Sequence, residues 1–171
     1  MWSPTIFMKI GISTIFAVPN YGAMLQSHGL SSYLRSEGLD AEVINYRQPE
    51  LESYFRFKLT LPPAVHHWRR LHRGSRFVER TLRTGGPVVR SVEEFLPHVS
   101  KYDAFITGSD QVWFTGPVQY YDRMFFLDFQ APGKRKISYA ASAGGNETFG
   151  QFEDRVREAI GGFDHLGVRD A

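Results

Sequence analysis

Three short runs hold side chains whose types and spacing could do chemistry. In Gly108-Ser109-Asp110-Gln111-Val112-Trp113 a hydroxyl, a carboxylate and an indole lie close together. Asp110 in such a run can act as a general base towards a hydroxyl group, and the Trp113 ring can stack on a sugar face. The same residues have an ordinary structural use, in which Ser109 or Asp110 caps the following turn and Trp113 fills the core. Spacing alone leaves the two readings level.

The second run is Asn20-Tyr21-Gly22-Ala23, with Gln26 one helical turn further on. Gly22 permits close approach of a backbone or ligand, and N–H groups at a helix start suit an anion or a sugar oxygen. An Asn cap, a turn glycine and a Gln bonded to a neighbouring loop would account for the same letters. The third run is Ser138-Tyr139-Ala140-Ala141-Ser142-Ala143-Gly144-Gly145. A strand, a small-residue turn and a helix can cradle a phosphate or carboxylate. This run lacks the Gly-Lys-Ser/Thr of a Walker loop and the dinucleotide fingerprint, and small residues also serve close packing.

Other residue types narrow the chemistry. The chain has no cysteine, which excludes disulfides, thiolate ligands and a cysteine nucleophile and suits a reducing cytoplasm. His66, His67 and His72 have no carboxylate among them and lack ligand spacing, so no metal is expected. Residues 56–90 gather Lys58, Arg69, Arg70, Arg73, Arg76, Arg80 and Arg83 against Glu79. The stretch from Arg69 to Arg83 could meet a membrane surface, an anionic polymer or phosphate, or it is a solvated helix face. With a net charge of only +2 and no reading motif, nucleic acid is not an expected partner.

The elements that must position these runs follow from periodicity. Met8 to Ser13 reads as a central parallel strand buried on both faces, with Met1 to Phe7 a short extension before it. A polar turn leads to a helix over Ala23 to Arg35, with Gln26, Leu30, Tyr33 and Leu34 on one stripe and Gly38 as its stop. Ala41 to Tyr46 is a second strand, which completes a βαβ unit. Residues 47–100, punctuated by Pro62-Pro63, Gly74, Gly85-Gly86-Pro87 and Pro97, read as a variable, basic, partly helical insertion. Asp103 to Thr107, Met124 to Phe129 and Ile137 to Ala141 are further strands. The apolar face Phe149, Phe152, Val156, Ala159, Ile160 and Phe163 then marks a helix, with Thr148 and Gln151 at capping-box spacing. A last strand begins at His165.

The 171 residues, 42% hydrophobic, suffice for one buried core and fall short of two full-sized domains. No apolar run approaches the ~20 residues of a membrane span, and no basic segment precedes the first strand as in a signal peptide. The expectation is a single α/β, Rossmann-like domain with a mostly parallel sheet over 1–171. In such sheets ligands sit beyond the carboxyl ends of the strands, where all three runs would lie. An ending on a strand just after an amphipathic helix leads us to expect a second domain or subunit as partner.

Taken together these segments resemble the polysaccharide pyruvyl transferase family. The resemblance rests on Lys9 to Ile12, Asn20 to Ala23 with Leu25-Gln26, Glu42 to Tyr46, and Tyr102 to Trp113. It continues through Phe126 to Phe129, Lys136 to Ser142 and Val168-Arg169-Asp170, in family order and over nearly the whole chain. It implies the first half of a glycosyltransferase-B-like two-domain enzyme. The activity it implies is transfer of a pyruvyl or enolpyruvyl group from phosphoenolpyruvate, the donor substrate, to a sugar hydroxyl in cell-surface polysaccharide synthesis, with no cofactor. The acceptor would be a sugar or lipid-linked oligosaccharide, and the enzyme cytoplasmic or membrane-peripheral. On that reading Asp110 is the base, and Asn20, Tyr21, Gly22, Gln26, Gly108, Ser109, Gln111, Trp113, Tyr139 and Ser142 contact substrate. The donor's basic partners would come from the second half. A glycosyltransferase with a nucleotide-sugar donor, or a non-catalytic module that binds a glycan or partner, would share the architecture.

Overall fold

The computed structural model describes residues 8–58, 64–115 and 120–169, and within 56–58 and 64–71 only the side chain of Arg69. The expectations for Met1 to Phe7, Pro62-Pro63, Asp170 and the His66 and His67 side chains lie outside the described residues. Six strands form one sheet: β1 (Lys9–Ser13), β2 (Asp40–Tyr46), β3 (Thr84–Val89), β4 (Ala104–Gly108), β5 (Arg135–Ala141) and β6 (His165–Val168). Their order is β3-β2-β1-β4-β5-β6, and every pairing is parallel. The helices are α1 (Tyr21–Ser36), α2 (Pro49–Lys58), α3 (Ala64–Thr81), α4 (Val92–Phe95) and α5 (Glu153–Gly161). This is the α/β, Rossmann-like arrangement expected, with the sheet wholly rather than mostly parallel.

Strand alternation divides the core between the two faces of the sheet. Ile10, Ile12, Ala41, Val43, Ala104 and Ile106 point to one side, where Met24 and Leu30 of α1 and Val78 of α3 cover them. Ile44, Tyr46 and Phe105 point to the other, against Phe95 of α4, Val156 of α5 and the segment 121–129. Burial of each such aliphatic or aromatic side chain contributes about 1.5–3 kcal/mol. Gly11 belongs to the second face, where an added Cβ would lie 3.1–3.2 Å from Tyr102, Ile44 and Phe105. Its small size lets three large side chains meet over the central strand.

Several expectations need correction. Met124 to Phe129 is no strand: it is a buried turn, with Leu127 at a φ of 49°. Its backbone is held by side chains instead of a neighbouring strand. Ser13 Oγ donates to Met124 O at 2.9 Å, Thr107 Oγ1 to Phe125 O at 2.7 Å, and Lys136 Nζ to Leu127 O at 2.7 Å. The insertion 47–100 is partly helical but also supplies β3, an edge strand whose Gly85-Gly86-Pro87 looked like punctuation. An edge strand tolerates such residues because it pairs on one side only. Tyr33 leaves the inward stripe of α1 and is 61% exposed, while Ala23, Met24, Ser27, Leu30 and Ser31 form the buried face. Before α5 the capping box gives way to a 3-10 turn, Gly150–Phe152. Thr148 Oγ1 accepts from Gly150 N at 3.3 Å and Glu153 reaches back to Phe149 N at 3.1 Å.

Candidate functional site

The strand order reverses direction between β1 and β4, and the loops leaving their carboxyl ends diverge there. That switch point is where open parallel sheets bind ligands. The loop after β1 carries Asn20, and the loop after β4 carries Ser109 to Phe114. The two therefore face each other for topological reasons before any side chain is considered.

The β1 side is largely consumed by its own hydrogen bonds. Asn20 caps α1, its Oδ1 accepting from Gly22 N at 2.9 Å and Ala23 N at 3.4 Å. The N–H groups expected to receive an anion are thus already satisfied. Gln26 Nε2 lies 2.9 Å from Thr14 Oγ1, 3.0 Å from Ile15 O and 2.9 Å from Ala23 O. Gln26 Oε1 accepts from Ser109 Oγ at 3.1 Å. Two residues expected to bond sugar hydroxyls bond each other and so latch the β1 and β4 loops together. Tyr21 remains 45% exposed at the first turn of the helix, next to Gly22.

Beyond that latch the β4 loop opens. Gly108 has a φ of +104°, and an added Cβ would sit 2.1 Å from Tyr139 O, so only glycine fits. Half-buried Asp110 follows, its Oδ1 accepting from Gln111 N at 2.8 Å. Its backbone carbonyl accepts from Ser142 N at 3.0 Å, and Trp113 N donates to Ser142 O at 3.1 Å, which zips the β4 and β5 loops. Asp110, Gln111 and Phe114 then line a cavity of about 170 Å³ with Asn20, Leu51 and Phe55. A carboxylate beside an amide and apolar walls is suited to receive a polar molecule with a proton to give.

Trp113 requires a correction. It is 4% exposed, its ring stacks on Phe126 at 5.8 Å between centroids, and Nε1 donates to Phe125 O at 3.2 Å. No face is left for a sugar. Tyr139, at the end of β5, is 54% exposed. Ser142 is buried, and its Oγ accepts from Gly144 N at 3.0 Å and from Arg169 Nη2 at 2.9 Å. The third run therefore folds as a self-bonded turn, and it brings a guanidinium from just beyond β6 to the same rim.

Sequence reasoning missed four contributors. Leu51 and Phe55 of α2 wall the cavity, and their i, i+4 spacing was the signal, masked by reading 47–100 as an insertion. Phe114 directly follows the Trp that drew attention, and it is the exposed one, at 45%. Asp122 lies buried at the carboxyl end of β2, accepting from Tyr46 Oη at 2.8 Å, Met124 N at 2.9 Å and Phe125 N at 3.3 Å. Burial raises its carboxyl to about 6 against the opposing pull of those donors, and burial and Asp122 together push the Tyr46 hydroxyl up. This pair anchors the turn beneath the site. Among the described residues no group of His, Asp or Glu is arranged to hold a metal ion.

The family model described as Polysaccharide pyruvyl transferase matches residues 20–171. The match begins at the α1 cap and takes in every residue of the cavity wall named above. No curated protein and no solved structure matches the chain.

Proposed function

Since the chain belongs to the polysaccharide pyruvyl transferase family, we propose that this domain forms the acceptor wall of a pyruvyl transfer site, with Asp110 as its base. The single observation that carries the reading is the Asp110 carboxylate, at the topological switch point, on a cavity it shares with Asn20, Gln111 and Phe114. In the proposed reaction the methylene carbon of phosphoenolpyruvate takes a proton, which leaves C2 electrophilic. A sugar hydroxyl adds to C2 while Asp110 accepts its proton. Phosphate then leaves C2 with the electrons of its C2–O bond, a second hydroxyl takes its place and passes its proton to the departing phosphate, and a cyclic ketal remains.

Gln111 and Tyr139 are the exposed polar groups suited to orient the sugar, and Phe114 supplies the apolar face that Trp113 does not. Gln26, Ser109 and Ser142 act from behind, fixing the loops on which these groups ride. The donor's phosphate and carboxylate are assigned to cations of a second domain or subunit, because proximity catalysis needs both reactants held together. Cytoplasmic action on a sugar or lipid-linked acceptor fits this reading, and no helix of the described residues is long and apolar enough to cross a membrane.

Ligand-observed NMR on this chain, with phosphoenolpyruvate and a panel of hexoses, tests the division of labour. Saturation transfer to a hexose but not to phosphoenolpyruvate is expected. Binding of phosphoenolpyruvate alone would place the donor here and overturn the assignment.

A further inference from the structure

The outer face of α3 carries an arginine stripe that the site does not use. Val78 of this helix and Leu82 just beyond it are buried in the core against α1, and Gly74 packs on Met24, so these positions fix the inward face. Arg69, Arg73, Arg76 and Arg80 are all exposed. Their 4-3-4 spacing places all four on one line opposite that inward face. At a rise of 1.5 Å per residue the line is about 16 Å long.

Four arginines without an acid partner on a single line set this face apart. Three other exposed arginines meet carboxylates, Arg83 with Asp40 at 2.7 Å, Arg90 with Glu52 at 3.0 Å and Arg155 with Asp128 at 3.1 Å, while among the described residues Arg135 and Arg157 stand unpaired by acids but singly, not in a row. Among the described residues no carboxylate lies within ion-pair distance of Arg69, Arg73, Arg76 or Arg80. Residues 64–83 hold six arginines against one acid, Glu79, whereas the whole chain carries only +2, so the remainder of the chain is net acidic. The excess positive charge of the chain is therefore concentrated on this one helix face.

We infer that this flank docks on an anionic lipid surface, with the four guanidinium groups on lipid phosphates. The shape of the charge selects that occupant. A straight stripe on the convex side of a packed helix touches a plane along its whole length. A flexible polyanion would gain by wrapping onto further basic surface, and outside residues 64–83 acids outnumber bases. Attraction of basic side chains to an anionic lipid surface is screened beyond about 10 Å at 0.1 M salt, so added salt should release the protein. The inference is independent of the assignment of Asp110.

Sedimentation with vesicles tests it. The full chain is mixed with phosphatidylcholine vesicles, with or without about 30% phosphatidylglycerol, at low and at 0.5 M salt. Binding to the anionic vesicles alone, reversed by salt, is the expected result. The quadruple variant Arg69→Glu, Arg73→Glu, Arg76→Glu, Arg80→Glu should lose at least about ten-fold in partitioning. Its far-ultraviolet circular dichroism and melting should match the parent, since these side chains are exposed. Failure to bind anionic vesicles, or equal binding by the folded variant, overturns the inference. So does capture by heparin under conditions where vesicles capture nothing, which would point to a soluble polyanion. If the quadruple variant does not fold, the charge-neutral Arg73→Gln, Arg76→Gln pair must still weaken partitioning for the inference to stand.

Discussion

The loop after β1 and the loop after β4 stand side by side at the switch point, and they use their polar residues in opposite ways. After β1, Asn20 closes the end of its helix, and Gln26 spends its amide on Thr14, Ile15, Ala23 and Ser109. After β4, the Asp110 carboxylate takes one backbone N–H in its own loop, and the residue lines a cavity. The two loops contain equally suggestive residue types. What separates them is how much of each group's bonding capacity the fold has already taken, and a ligand can use only what remains. The first loop serves as framework, and the second is the one we propose as site.

The largest effect that would sharpen this contrast is at Gly108, the hinge of the second loop. Gly108→Ala would force a side chain to within 2.1 Å of Tyr139 O at a φ of +104°. We expect a loss of about 3 kcal/mol or more in urea unfolding. A loss below about 1 kcal/mol would show that the loop can move, and the cavity geometry would then need revision.

The buried carboxylate beneath the site gives the next effect, as a pH dependence. Burial raises the Asp122 carboxyl from its ordinary 3.8 to about 6 in the folded chain. Between those values the folded state holds the extra proton, so the Asp122 contribution to stability falls as pH rises from about 4 to about 6. The wild type should therefore lose roughly 2 kcal/mol across that window relative to Asp122→Asn. A gain over the same window would mean that its three donors outweigh burial.

Smaller effects follow on each side of the latch. Gln26→Ala should cost about 1–2 kcal/mol, because it strands Ser109 Oγ and Thr14 Oγ1 without their partner. It should lower turnover of the full-length enzyme only through loop order, with acceptor KM rising more than kcat falls. Phe114→Ala should change stability by no more than about 0.5 kcal/mol, as its ring is half exposed. It should still raise acceptor KM, and an unchanged KM would remove Phe114 from the acceptor wall.

Much of this was legible in the sequence. The β-branched run at Ile10 to Ile12 and the helix before Gly38 declared their elements, and Val156, Ala159 and Ile160 marked the inner side of α5. Gly108-Ser109-Asp110 was legible as a turn at a strand end, because it closes the apolar run from Ala104 to Thr107. Buried polar pairing was not legible. Gln26 meets Ser109 across 83 residues and Tyr46 meets Asp122 across 76, and neither spacing leaves a local trace. Met124 to Phe129 misled because its apolar letters suit a strand, whereas side chains of β1, β4 and β5 bond its backbone. Trp113 misled through its type: the exposed ring belongs to its neighbour Phe114.

The central claim is that Asp110 is the base. The most direct test is turnover of the full-length enzyme carrying Asp110→Asn, with melting temperature and acceptor binding measured on the same sample. A fall in kcat of roughly 10²-fold or more, with melting and acceptor binding unchanged, is the predicted result. Near-normal turnover from the folded variant would contradict the account and return Asp110 to the framework with Asn20 and Gln26.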